Sequence, residues 1–395
     1  MDLGTAFAAG LQLDFANLPQ QLVNGILLGS IYALIALGYT MVYGVLRLIN
    51  FAHGEVFMLG AYMALFVSWW LGYSPTATTL GQSSWVNLLM MLVASMVVCA
   101  IIGMLIELFA YRPMRSQPRI ASLITAIGVS LMLQYAGALF LPNSPPQPIR
   151  EEINPYRNEV LQIPLKPRDT TFIEKIKVEE AEFNAAEAAV KARMETEGVK
   201  SEFDLSPEGR LLRETRNDER NDVTNMKSEY ERSGVSLLIP YGQLIMFVTA
   251  LALMLILRHI VMNTKPGRAM RAVSLDFDSA SLMGVNVNRI VTLTFAIGSA
   301  LAGAGAMMSA TFLGLSLTTF FGVQPGVKAF VAAVLGGIGN IPGAVLGGLL
   351  MGVAETLVVW SGYGDYKDAI AFVILIAVLL FRPGGLLGSS KVEKV

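Results

Sequence analysis

Nine apolar runs divide this chain, at 21–45, 55–72, 86–111, 120–141, 236–260, 290–313, 327–338, 343–361 and 367–382. Most approach the ~20 residues that an α-helix needs to cross about 30 Å of hydrocarbon. The pattern predicts an all-α polytopic membrane protein with eight or nine transmembrane helices. The twelve residues at 327–338 are short for a crossing. A full crossing there gives nine spans, and a re-entrant hairpin gives eight and puts the C-terminus on the other side.

Between 142 and 235 the pattern changes completely. "TTFIEKIKVEEAEFNAAEAAVKARMETEG" is rich in Ala, Glu and Lys without Pro, and predicts a solvated helix ended by Gly198. "SPEGRLLRETRNDERNDVTNMKSEYERSG" predicts a second helix, with Ser206 as N-cap, Pro207 in the first turn and Gly234 as stop. Two such helices suggest a hairpin; their low apolar content leaves partial disorder as the alternative. The expected organisation is therefore helices over 1–141, a charged insert at 142–235, and helices over 236–395.

Composition agrees with a membrane protein. Of 395 residues, 54% are hydrophobic and 15% charged, and mean hydropathy is +0.55. A soluble domain carries roughly 25% charged residues. The net charge of −1 conceals an uneven distribution: residues 150–232 hold 20 acidic and 15 basic groups, the rest 10 acidic and 14 basic. Nothing in this balance points to nucleic acid. Lys and Arg in short loops favour the cytoplasm, which assigns "YRPMRSQPR", with Arg112, Arg115 and Arg119, to that side. The same rule places 263–289 and the tail with Arg382, Lys391 and Lys394 there, and "YSPTATTLGQSSW" and the insert outside. The lone Cys99 lies in an apolar run and suits helix packing. The first 20 residues lack the pattern of a secretory leader.

Loop 263–289, "NTKPGRAMRAVSLDFDSASLMGVNVNR", is too polar to span and too apolar for a plain linker. Pro266 and Gly267 are expected to break the preceding helix. Asp276 or Asp278 can cap a short helix through "SASLMG", ended by Gly284. Leu275, Ala280, Leu282, Met283 and Val285 offer apolar contacts, and Arg268 and Arg271 cationic ones. Such a segment suits docking to a soluble partner or lying on lipid headgroups.

Three other features carry candidate chemistry. In "LRLINFAHGEVFMLG", Asn50, His53 and Glu55 cluster between two spans. They form either the capped end of a helical hairpin, with Asn50 as cap, or an inner gate; one His and one Glu make no zinc site. In "VLGGIGNIPGAVLGGLLMG", Gly336, Gly337 and Asn340 fall where a helix should break at membrane depth, bordering a transport route or serving close packing. Gly343–Gly347 and Gly348–Gly352 are GxxxG spacings, as is Gly25–Gly29. Glu107 and Glu355 lie in or near apolar runs, each pairing with a base or reaching an interface.

"GRAMRAVSLDFDSASLMGVNVNRIVTLTFAIGSALAG" resembles the cytoplasmic coupling loop of permeases in high-affinity branched-chain amino-acid ABC importers, the LivH type. "NGILLGSIYALIALGYTMVYGVLRLINFAHGEVFMLGAYMAL", "KAFVAAVLGGIGNIPGAVLGGLLMGVAE" and "YKDAIAFVILIAVLLFRPGGLLG" resemble the same family in the same order. The insert is much longer than the family's ordinary loop there. The resemblance implies an inner-membrane transport subunit, not an enzyme, with no cofactor. It implies cytoplasmic ABC ATPase subunits docked on 263–289, a second, related permease subunit in a heterodimer, and an extracytoplasmic solute-binding protein. No G-x-x-x-x-G-K-[ST] occurs, so ATP hydrolysis belongs to another chain. Permeases for urea and short amides share this scaffold. The first rival, an ion-coupled secondary transporter, calls for more acidic or His residues within spans. An intramembrane enzyme is the second rival, and the chain has no H-E-x-x-H and only two histidines.

Overall fold

The computed structural model describes residues 17–388, apart from 49, 78–80, 116, 143–145, 167–168 and 200. The leader reading of the first 20 residues falls largely outside this range, and the tail cations Lys391 and Lys394 wholly so. In chain order the elements are α1 (Leu18–Leu46), α2 (His53–Ser68, extended by a π-turn at Trp69–Tyr73), α3 (Trp85–Ile106, extended by a π-turn at Glu107–Tyr111) and α4 (Arg119–Phe140). Then come β1 (Val160–Lys166), α5 (Thr171–Glu197), α6 (Pro207–Ser233) and β2 (Val235–Pro240). The chain continues through α7 (Tyr241–Asn263), α8 (Lys265–Leu275), α9 (Phe277–Leu282), α10 (Val287–Phe312), α11 (Val323–Gly336), α12 (Ile341–Trp360) and α13 (Ala369–Phe381).

Two compact units result: the chain up to Val160 together with Pro240 onward, and Leu161–Ile239. In the second unit α5 and α6 pack against each other as a hairpin, and β1 pairs with β2. Gly198 ends α5 at φ +66°, and the Ser206 hydroxyl caps α6 by accepting from the Gly209 N–H. Glu197 ties this corner together. It accepts from the Ser206 N–H and hydroxyl and pairs with Arg193, which hold its carboxyl down at about 2. The two helices follow the sequence pattern; the strand pair had no clear signal in it. Residues 146–160, read with the insert, pack instead with the helical unit. Ile149 and Ile153 are buried there, and Gln147 bridges to Leu317.

Among the described residues, seven helices are long and apolar enough to cross a membrane, and α11 and α13 are shorter apolar helices. Each of the nine apolar runs thus contains a helix, but the first five residues of 236–260 belong to strand β2 and its helix starts at Tyr241. α1 is the axis of the bundle, its C-terminal two-thirds almost wholly buried. The GxxxG pairs account for its closest contact. A side chain at Gly29 would strike the Leu349 backbone, and one at Gly352 would strike Gly29 and Gly25. α12 therefore runs antiparallel to α1 at backbone distance, the packing that GxxxG permits. α10 is also antiparallel to α1, with Gly298 against Gly38 and Gly305 against Ile35. Cys99 packs against Gly60 and Gly303, and its Sγ lies 3.3 Å from the Val56 carbonyl. α3, α4, α7 and α13 turn large apolar side chains outward, including Ile124, Leu139, Leu255 and Phe381. Lipid tails are as apolar as these side chains, so a bilayer accommodates that surface.

α8 packs beside the last turns of α1, where Met270 and Arg271 adjoin Thr40, Met41 and Val45. That end is the reference for depth. Two helices start partway along the bundle. His53, the first residue of α2, sits against Gly38, eight residues or ~12 Å short of the end of α1. α11 begins at the same level, since Gly322 and Gly326 both meet the backbone of Gly54. The fourteen residues of α11 span only ~21 Å. The stretch 313–322 leads in from the far end of α10, and α11 continues to the α8 end. The run 327–338 thus lies on a broken passage from one end of the bundle to the other. Residues 385–387 then lie beside α11's end, where Leu386 and Leu387 donate to the Leu335 and Gly336 carbonyls.

Candidate functional site

The 263–289 segment folds into two helices, where the sequence predicted one. The break after α7 falls at Thr264, whose hydroxyl accepts from the Gly267 N–H and caps α8. Pro266 and Gly267 thus occupy the first turn of α8 instead of a loop, as suits a proline that has no N–H to lose there. Gly267 lies against the Ile260 and Val261 carbonyls, where any side chain would collide. Arg271 donates to the Val261 and Met262 carbonyls at 2.6 and 3.1 Å, closing the C-terminus of α7. Asp276 caps α9 through the Ser279 N–H at 2.6 Å, a bond that lowers its carboxyl pKa. Gly284 leaves α9 at φ +84°, and Asn286 caps α10.

This capping fixes which faces are presented. Met270, Val273 and Ala280 are buried, whereas Leu275, Leu282 and Met283 are 81%, 88% and 85% exposed. Arg268 is also exposed. The result is a capped knuckle on which the apolar Leu275, Leu282 and Met283 are uncovered. It continues directly into α10, whose first turn is tied to α3. The fully buried Glu107 accepts from Arg112 at 2.9 Å and from Thr292 at 2.7 Å, and pairs with Arg115. Arg115 also reaches Asn288 at 2.8 Å.

Asn50, His53 and Glu55 lie close in sequence but enter different surroundings. Asn50 does not cap α2, whose N-cap is Ala52 with no side-chain bond. Instead its Oδ1 accepts from the Tyr111 hydroxyl at 2.9 Å, because the chain re-enters the bundle here. His53 is fully buried, its ring 4.6 Å from that of Tyr39. Neither ring nitrogen has a partner at hydrogen-bond geometry, the Ile35 carbonyl being only a loose neighbour. Glu55 accepts from Ser130 at 3.2 Å and lines a cavity of about 230 Å³ with Tyr39, Phe51 and Phe330.

Gly336, Gly337 and Asn340 form the turn between α11 and α12. Gly337 and Gly339 take φ of +105° and +92°, and Asn340 caps α12 through the Gly343 N–H at 3.3 Å. Gly339 lies beside Gly44, near the end of α1. The helix break expected here at membrane depth therefore sits toward the α8 end, and the breaks deep in the bundle are those before α2 and α11.

A cavity of about 660 Å³ lies away from α8, between the first half of α1, the far ends of α10 and α12, and residues 313–325. Its lining includes the apolar Leu28, Ile31, Phe57 and Phe321, the polar Gln21, Asn24 and Gln324, and the charged Lys328, Glu355, Lys367 and Asp368. Lys328 Nζ lies 2.7 Å from Glu355 and 2.6 Å from Asp368, and the Tyr32 hydroxyl donates to Glu355 at 2.7 Å. The sequence signalled Glu355 but left its partner open, and Lys328 and Asp368 were missed. A lysine inside "VKAFVAAVLGG" was the available signal.

Residues 21–379 match the family described as branched-chain amino acid transport system / permease component. The chain belongs to this family. It is 38% identical over 379 residues to the high-affinity branched-chain amino acid transport system permease protein BraD of Pseudomonas aeruginosa, covering 95% of this chain and 97% of BraD. It is 34% identical over 383 residues to the corresponding LivH of Escherichia coli, covering 97% of this chain and 99% of LivH. The archaeal probable LivH of Methanocaldococcus jannaschii is 30% identical over 155 residues, 36% of this chain and 48% of that protein. No solved structure matches. The chain is thus a multi-pass inner-membrane permease component, a transport subunit and not an enzyme.

Proposed function

We propose that this chain forms part of the translocation path of an ATP-driven importer of branched-chain amino acids. Near-full-length kinship to BraD and LivH carries this reading. The α8–α9 end faces the cytoplasm, where Arg112, Arg115, Arg258, Lys265, Arg268, Arg271 and Arg289 concentrate positive charge. The insert and the 660 Å³ cavity then face outside.

A separate ABC ATPase docks on the knuckle. Leu275, Leu282 and Met283 enter its groove, Arg268 and Arg271 lie at the rim, and Asp276, Ala280 and Gly284 hold the knuckle in shape. Movement of the knuckle passes through α10 and the Glu107 cluster into α3. Asn50, His53 and Glu55 stand where α2 and α11 begin, at the level of an inner gate, and Gly336, Gly337 and Asn340 border its cytoplasmic exit. A related second permease subunit completes the path, and an extracytoplasmic binding protein delivers the solute.

Co-reconstitution of this chain with its ATPases, companion permease and binding protein tests the proposal. Leucine, isoleucine and valine should enter proteoliposomes only when ATP is present on the ATPase side. Uptake that needs an ion gradient and no ATP would replace this reading with a secondary transporter.

A further inference from the structure

The reading above leaves open whether the permease itself holds the solute. We propose that the cavity at the far end from α8 is a solute site built for a zwitterionic amino acid with an aliphatic side chain; this inference rests on the proposed import function. Its volume of about 660 Å³ falls within the ~300–1,000 Å³ of small-molecule sites. Its lining combines the two chemistries that such a solute requires. Leu28, Ile31, Phe57 and Phe321 offer apolar contact, and the Lys328–Glu355–Asp368 cluster offers charge.

The cluster is asymmetric. One ammonium stands between two carboxylates where Lys328 and Glu355 are 6% and 7% exposed, and with Lys367 on the lining the charged groups of the cavity balance. Ionisable groups at membrane depth are expensive and mark solute or ion pathways. Among the three, Asp368 is the accessible member, with its side chain 41% exposed. A bound α-ammonium would lie beside Asp368, and the adjacent α-carboxylate would meet the Lys328 ammonium. An acidic side chain would then lie among the apolar lining residues. A basic side chain would lie against hydrocarbon. The site therefore favours neutral aliphatic amino acids, with Asp368 at the α-ammonium and Lys328 at the α-carboxylate.

Its place in the fold suits a waiting position. Lys328 stands on the second turn of α11 and Asp368 directly before α13, so both short helices begin at the cavity. A solute bridging them contacts α11, which ends at the Gly337–Asn340 turn on the opposite side.

Cysteine protection tests this directly in the reconstituted importer. Leu28→Cys and Ser316→Cys each place a thiol on the cavity lining, and the native Cys99 is buried and gives little background. Saturating leucine, applied with ATP withheld, should slow alkylation of either thiol several-fold, and glutamate should not. Adding Asp368→Asn should abolish the protection. The proposal is overturned if vesicles that take up leucine normally show the same alkylation rate with and without it. It is equally overturned if glutamate protects as well as leucine. If the unmodified importer shows no ATP-driven leucine uptake, the functional reading fails instead, an outcome the uptake measurement reports separately.

Discussion

At the residue scale, the Lys328–Glu355 pair shows how a charge is kept inside an apolar bundle. Lys328 lies between Glu355 and Asp368, and Tyr32 occupies the other Glu355 oxygen. Removing one partner strands the other. Lys328→Met should destabilise the protein by about 3–5 kcal/mol, as breaking buried pairs does. The double variant Lys328→Met with Glu355→Gln should recover much of that loss, because no buried charge is then left alone. Thermal unfolding of the purified chain in detergent measures both. Equal stability of the single and double variants would show that the pair is not coupled. The sequence carried only part of this site. Glu355 stood out as an acid near an apolar run, but its partners come from positions 27 residues before and 13 after it, and their convergence depends on where two short helices begin. The glycines were easier to read, since a GxxxG spacing already states that another backbone comes close. Which backbone it is, α12 against α1, required the fold.

At the element scale, the apolar runs located nine helices among the described residues, though 236–240 forms strand β2 instead of the start of α7, because desolvating a backbone in lipid leaves helix as the available answer. The polar helices of the insert were equally legible, their ends marked by Gly198, Ser206 and Pro207. Elements set by tertiary contact were not. Residues 47–52 read as a simple hairpin end, yet they carry the chain back into the bundle. α8 was hidden because Pro266 and Gly267 normally punctuate a loop, and only the Thr264 cap and the close seat on α7 make them a first turn. The insert also carries a prediction of its own. Its helical hairpin is polar, and the charge bias of the loops puts it outside. Protease added to intact spheroplasts should cut within 161–239 and leave the helical unit in the membrane. Cleavage seen only after lysis would invert the proposed topology.

At the scale of the whole molecule, a cavity lies at one end of the bundle and an exposed knuckle at the other. Between them run α10, tied to α3 through Glu107, and α11, which spans only the half of the bundle nearer the knuckle. An importer needs such a connection, because binding and hydrolysis of ATP occur on a different chain from the solute path. The central claim is that α8–α9 receives that drive. Met283→Asp would place a charge on the exposed knuckle, costing several kcal/mol if the partner buries it. The variant should insert normally, since Arg258, Lys265, Arg268, Arg271 and Arg289 retain the positive bias of the loop. The deciding measurement is co-purification of Met283→Asp with the ATPase subunit, paired with ATP hydrolysis stimulated by the loaded binding protein. Both should be lost at unchanged membrane levels. Full association together with full stimulation would make the knuckle a lipid-facing element and contradict the proposed coupling.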